Sequence, residues 1–206
     1  MAIKERRERE KEQRRSDILD AARTLLLQDG LKATSINRIA KLSELSVGAI
    51  YFYFKDKEEI YAALQLEGLD LLYRYIREAG EKGATPEDAI RKIALAYLHY
   101  SEEHKNYFDI INYFLSSPET IFSEKMKRQI DEHGTNSVMI LADAIREGMQ
   151  QGTFKEVNPK QEALILWSAC HGTIIMKKLK NTIMADVEYQ TLFKEGIERF
   201  LCGLRR

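Results

Sequence analysis

Residues 34–57 read TSINRIAKLSELSVGAIYFYFKDK, and this stretch holds the side chains whose types and spacing suggest chemistry. The chemistry is recognition, since no nucleophile, base or metal-ligand set stands here. Gly48, Ala49, Tyr51 and Tyr53 alternate with the apolar Val47, Ile50 and Phe54. Small residues beside aromatics with polar tips suit a helix that presses against another surface. A short helix, a three-residue turn (43–45) and a second helix opening on small residues form the pattern of a DNA-reading helix-turn-helix. Elsewhere no serine lies in a nucleophile motif and no glycine-rich loop could cradle phosphate. His99 and Glu103 stand four apart, but a metal needs more ligands, so a solvated pair is the simpler reading. His171 and Cys170 sit on an apolar helix, where a core or interface histidine and an inert buried thiol are the ordinary roles. No cofactor or metal is expected.

These side chains need elements to hold them. The first helix of the motif spans about 35–42, with Ile36, Ile39 and Ala40 on one side. Ser46 can cap the second by accepting an orphan amide at its start, and Val47, Ile50 and Phe54 give that helix a core stripe. Before them, residues 5–29 form a helix with Ile18, Ala22, Leu25 and Leu26 inward and Gly30 at its end. Its start, KERREREKEQRR, has no apolar face and reads first as a solvated helix start held by Glu/Arg pairs, the alternatives being a charged arm and an arm that touches phosphate. Asp56 and Glu59 have capping-box spacing for a fourth helix running to about 78. Pro86 opens the next, a break falls at 116–118, and helices follow at 119–151 (interrupted near Gly134), 159–180 and 186–204. No segment alternates with period two. The fold class is all-α, about nine helices.

The residues Ile39-Ala40, Leu45-Ser46, Gly48, Ile50-Tyr51, Tyr53-Phe54 and Lys57 together resemble the DNA-binding segment of the TetR family of bacterial transcriptional regulators. The likeness covers about residues 15–62. Ser43 and Glu44 depart from it, standing where the family usually has Ala and Gly, and Glu resists a positive φ. The resemblance implies that the second motif helix lies in the major groove while the first crosses near the backbone. Ser46, Val47, Gly48 and Ala49 would then meet the groove edge, with the Ala49 methyl against a thymine methyl. Tyr51, Tyr53 and Lys57 would reach phosphates, Ser35 and Asn37 a phosphate or base edge, and Arg38 a base.

The same resemblance implies an effector pocket in the middle helices. Tyr97, Tyr100, Tyr107, Phe108, Tyr113 and Phe114, with Trp167 and His171, are the candidates to line it, core being the preferred reading for any single one. The last two helices carry more apolar surface than one inward face needs, and by resemblance pair across a dimer as a four-helix bundle. Leu166, Trp167, Cys170, Ile174, Phe193, Ile197 and Phe200 are the candidate interface residues.

Charge fits this division. Residues 1–57 carry net +4 (13 Lys/Arg, 9 Asp/Glu) and residues 58–206 net −4 (19 and 23), cancelling to zero over the chain. The expected organisation is a three-helix head, 1–57, and a larger ligand-binding and dimerising body, 58–206. The function implied is a DNA-binding regulator, a repressor released from a near-palindromic operator by a small apolar or amphipathic effector. It would work as a homodimer, in the cytoplasm, with no membrane partner and no enzymatic activity. The competing readings are a helical small-molecule binder or enzyme without a DNA-dependent role, which should show a catalytic constellation, and an adaptor whose helix-turn-helix is only structural. A gel shift separates them.

Overall fold

Gly30 marks the first conformational decision of the chain: its φ of 77° lies where only glycine is unstrained, and it kinks α1 (Ala2–Ala33) near its end. In the computed structural model, which describes residues 2–116, 121–179 and 181–206, eight more α-helices follow. They are α2 (Ile36–Leu42), α3 (Val47–Tyr53), α4 (Lys57–Glu81), α5 (Pro86–Glu103), α6 (Lys105–Ser116), α7 (Glu124–Gln150), α8 (Pro159–Met176) and α9 (Tyr189–Leu204). A 3-10 turn, Lys177–Leu179, extends α8. Among the described residues no strand forms; Phe154 and Arg205 make one isolated antiparallel bridge. The all-α expectation therefore holds. The expected break at 117–118 and helix start at 119 lie outside the described residues.

Capping chemistry sets most boundaries. Thr85 accepts the Asp88 amide ahead of Pro86, and Asn158 accepts the Gln161 amide ahead of Pro159. Asp56 accepts the Glu59 amide at 2.8 Å, while the Glu59 carboxylate reaches back to the Lys55 amide at 2.5 Å, a near-reciprocal box one residue wider than expected. Gly134 does not interrupt α7. One interior glycine costs about 1 kcal/mol, and the buried stripe of Ser137, Leu141, Ala144 and Ile145 outweighs it.

The chain divides into two compact units. The first comprises Met1–Gly68 and Asn106–Ile130; the second, Leu69–Lys105 and Asp131–Arg206. In the first, Ile18, Leu19, Ala22, Leu25 and Leu26 of α1 form one core with Ile39, Ile50, Phe54, Ile60, Leu64 and Ile110. A polar strut crosses its edge. The Arg23 guanidinium lies over the Tyr107 ring and donates to its hydroxyl at 2.9 Å, and that hydroxyl donates to Glu67 at 3.2 Å. Burial raises the Glu67 carboxyl, opposed by this hydroxyl and by Arg23.

In the second unit α8 packs on α5 and α9. Gly148 of α7 admits the fully buried Phe154 ring, which a β-carbon there would strike at 2.1 Å. Arg205 and Arg91 both bind Glu87, and Arg91 also binds Glu198, so ion pairs tie α5 to the end of the chain. The Arg205 hydrogen bonds, helped by Arg91 and opposed by desolvation, hold Glu87 down at about 2 against an ordinary value of 4.5. No described helix is long and apolar enough to cross a membrane.

Candidate nucleic-acid interface

Ser35 and Ser46 start the two helices that matter. The Ser35 hydroxyl accepts the Arg38 amide at 3.4 Å, and the Ser46 hydroxyl accepts the Ala49 amide at 3.1 Å. Between them the turn closes through amides of Ser43 and Leu45 donating to the carbonyls of Ile39 and Ala40, both at 2.9 Å. Glu44 takes φ = 56°, the left-handed conformation that glycine adopts without strain. The turn is thus the expected one, built with a residue that resists it. Arg15 lies over the Phe54 ring at 5.2 Å, closing the end of α3 against α1.

Helix α3 has two opposed faces. Ile50 is fully buried, and Phe54, the C-cap, is nearly so. Opposite them at 100° per residue lie Gly48 and Phe52, and Phe52 is 75% exposed. Tyr51, on the flank, is 53% exposed. Ala49 and Tyr53 are half-buried, with Tyr53 packed on the core and edge-on to Phe52. Val47, expected in the core stripe, is 36% exposed; it lies at the edge of that stripe, between Phe54 and Tyr51 around the helix. Phe52 is an exposed residue of this outward face that the sequence reasoning misses. Its signal is a phenylalanine four residues after Gly48 and opposite Ile50.

Two basic residues of the site are engaged. Arg38 donates to Asp29 at 2.5 Å and to the Ala33 carbonyl at 2.9 Å, tying α2 to the end of α1. For it to reach a base, these bonds must open. Lys57 is half-buried and donates to the Thr34 carbonyl at 3.3 Å. Ser35, Asn37, Ser46 and Gly48 are exposed or half-exposed.

The aromatics fall into two groups. In the first unit, Tyr107 belongs to the Arg23–Glu67 strut, the Tyr113 hydroxyl accepts the Leu31 amide, Phe114 packs on Tyr61 and Phe122, and Phe108 is buried. In the second, Tyr97 stacks on Trp167 at 4.4 Å and its hydroxyl meets His171 Nδ1 at 2.7 Å. Tyr100 is buried beside Tyr75 and His104. Desolvation lowers His171, favouring neutral imidazole, and pushes the Cys170 thiol to about 12, so that thiol is unreactive. Glu103 binds the Tyr75 hydroxyl at 2.8 Å, which also meets His104, while His99 is exposed. Among the described residues no cluster of His, Cys, Asp and Glu could hold a metal ion.

The interface residues expected on the last helices differ in exposure within the chain. Leu166, Cys170, Ile174, Phe193 and Ile197 are at most 6% exposed in the single chain. They are buried within the chain, in which α8 packs on α5 and α9. Trp167 and Phe200 are half-buried. The outward apolar residues are instead Leu164, Ile165 and Met176 of α8 and Leu192 of α9, with Ser168 and Ala169 also exposed.

Two family models match: bacterial regulatory proteins of the tetR family over residues 18–64, and the tetracyclin repressor-like C-terminal domain over residues 90–200. The HTH-type transcriptional regulator YhgD of Bacillus subtilis (strain 168) is 26% identical over 153 residues, 74% of this chain and 78% of that one. The HTH-type transcriptional repressor KstR2 of Mycobacterium tuberculosis (strain ATCC 25618 / H37Rv) is 23% identical over 142 residues, covering 69% of this chain and 70% of that one. The fold is shared with the transcriptional regulator FadR from Bacillus subtilis, solved in complex with stearoyl-CoA, at a TM-score of 0.76 and 20% identity, covering 92% of this chain and 99% of that one. Two family models spanning the helix-turn-helix and most of the remaining helices leave one assignment: the chain belongs to the TetR family of DNA-binding transcriptional regulators.

Proposed function

We propose that this regulator is a repressor, working in the cytoplasm, whose homodimer holds a near-palindromic operator until a small apolar or amphipathic effector releases it. The observation that carries the DNA-reading assignment is the two-faced α3. Ile50 and Phe54 fix the helix to its own core, while Gly48, Tyr51 and Phe52 face away from it. Gly48 lets the backbone approach the groove edge, and Val47 and Ala49 offer methyls to thymine. Ser46, Tyr51, Tyr53 and Lys57 supply phosphate donors, as do Ser35 and Asn37 one helix earlier; Arg38 reads a base once its pair with Asp29 opens. Residues 1–57 do this work and residues 58–206 take the effector and the second copy. Binding, not catalysis, is the activity.

Dimerisation follows from the outward apolar side of α8 and α9. Leu164, Ile165, Ser168 and Ala169, with Leu192, offer a self-complementary surface for a two-fold four-helix contact. Two heads then address half-sites about 34 Å apart, one turn of DNA. The effector reading draws on Tyr97, Trp167 and His171, aromatic surface with a polar tip, and on the stearoyl-CoA bound by a protein of the same fold. Helix α4 runs through both units and is the covalent route by which effector binding could move the heads. A preference of about 5.5 kcal/mol for the displaced state takes a population from 1:99 to 99:1.

The test is selection of bound duplexes from a randomised pool by the full chain, followed by anisotropy titration. A two-fold symmetric sequence bound by two protomers is expected. Recovery of no enriched sequence, or binding by a monomer, would overturn the reading. Release of that duplex by a panel of fatty acids and acyl-CoAs tests the effector class.

A further inference from the structure

Helix α1 begins well before the head's core does. Its first buried residue is Ile18, and residues 4–14 are exposed throughout. This overhang is not a random mixture of charge. At 100° per residue, Lys4, Arg7, Lys11 and Arg14 fall on one face, within an arc of roughly 100° that also includes Arg15. Glu5, Glu8 and Glu12 gather on the neighbouring arc. The basic arc continues the face that farther along buries Ile18, Ala22 and Leu25. One side of α1 is thus apolar where it covers the helix-turn-helix and basic where it passes beyond it.

The one ion pair within residues 4–14, Arg6 with Glu10, lies off this arc, and Arg15, at the arc's inner end, approaches Glu67. The side chains of Lys4, Arg7, Lys11 and Arg14 have no hydrogen-bond or ion-pair partner among the described residues. The overhang also starts at the recognition helix, since Arg15 covers the Phe54 ring at the end of α3. A helix rising about 1.5 Å per residue spreads the four cations over about 15 Å.

We propose that Lys4, Arg7, Lys11 and Arg14 form a second DNA surface that binds phosphates of the duplex flanking the operator. This rests on the DNA-reading assignment of α3 and extends its footprint outward. The occupant is a polyanion because four cations share one side with no acidic residue within its arc. It is duplex DNA because the stripe prolongs the face of α1 that shares one core with the recognition helix α3. Such contacts add affinity without sequence preference and depend steeply on salt.

The test uses the full chain and two duplexes: the shortest one that the wild type retains from a randomised pool, and the same duplex with about ten random base pairs added at each end, about one helical turn. The variant carries Lys4→Gln, Arg7→Gln, Lys11→Gln and Arg14→Gln, which keep helix propensity; far-UV circular dichroism confirms the fold. At ~0.1 M salt the wild type should bind the longer duplex about tenfold more tightly than the shorter, and the variant should lose that gain. The salt slope on the longer duplex should fall by about 0.9 for each phosphate that the variant no longer neutralises. On the shorter duplex the two proteins should agree, which leaves the α3 assignment intact whatever the flanks do. Equal behaviour of wild type and variant on the longer duplex overturns the proposal, as does a wild type indifferent to flank length. Binding of phosphatidylglycerol vesicles through the same four residues, with no flank effect, would assign the stripe to a membrane surface and overturn it too. If no duplex is retained at all, the DNA reading itself fails first.

Discussion

The helix-turn-helix and the α8–α9 pair use apolar residues in opposite ways. In α3 the division is sharp: Ile50 and Phe54 face in, Gly48 and Phe52 face out, and one short helix with its cap holds both roles. In α8 apolar residues occur on every side. Leu166, Cys170 and Ile174 are buried by the chain's own helices, while Leu164 and Ile165 stay exposed. A short helix covered on one side states its function in its sequence. A helix that is apolar on two sides, one covered by its own chain and one left exposed, does not say in its sequence which apolar residue lies on which side.

The largest effect should separate two neighbours on α8. Leu166→Glu buries an unpaired charge and should unfold the chain, a loss above about 4 kcal/mol. Ile165→Glu should leave helix content intact and yield monomer by sedimentation. If Ile165→Glu remains a dimer, the outward face is misassigned and the comparison fails at its weaker end.

Next in size is the same contrast within α3. Ile50→Ala should cost about 2–5 kcal/mol in urea unfolding through the cavity it leaves. Phe52→Ala should shift stability by less than about 0.5 kcal/mol, yet weaken duplex binding about tenfold. Equal stability losses at both positions would mean that α3 does not have two faces.

Smaller effects probe what holds each region. Glu87→Gln removes the partner shared by Arg205 and Arg91 in the second unit. Because Glu87 is depressed to about 2 in the fold, its contribution is complete above about pH 4.5 and is lost as pH falls toward 2. The variant should therefore be less stable near neutrality, by about 1 kcal/mol given solvent screening, and the difference should vanish below pH 2. A gap that persists below that pH would assign the effect to packing. The smallest expected change is a gain: Glu44→Gly relieves a positive φ and should stabilise the chain by about 0.5–1 kcal/mol, seen as a higher Tm. No gain would mean that Glu44 adopts the turn without strain.

These contrasts also explain what is legible in the sequence. Ser46, Ile50, Phe54 and Pro86 can be placed from it because caps, turn residues and a one-sided stripe are local signals. The positive φ at Glu44 follows from the turn alone. Val47 is misplaced because spacing in a two-turn helix does not distinguish the edge of a stripe from its centre. The aromatics group by proximity in sequence, yet Tyr107 serves a strut with Arg23 and Glu67, and Tyr97 pairs with Trp167 and His171. Those partners lie from 40 to 84 residues away, where no periodicity reaches. Gly134 reads as a break only when its own propensity is weighed, since a long buried stripe carries α7 through it.

The account stands on the outward face of α3 meeting DNA. Its most direct test is a salt-dependent anisotropy titration of the duplex selected by the wild type, repeated with Ala49→Glu. The substitution places bulk and negative charge where a groove edge should lie. The wild type should bind with an affinity falling steeply as salt rises, and Ala49→Glu, folded and dimeric, should not bind measurably at any salt. Ala49→Glu binding that duplex with wild-type affinity and salt slope would contradict the account.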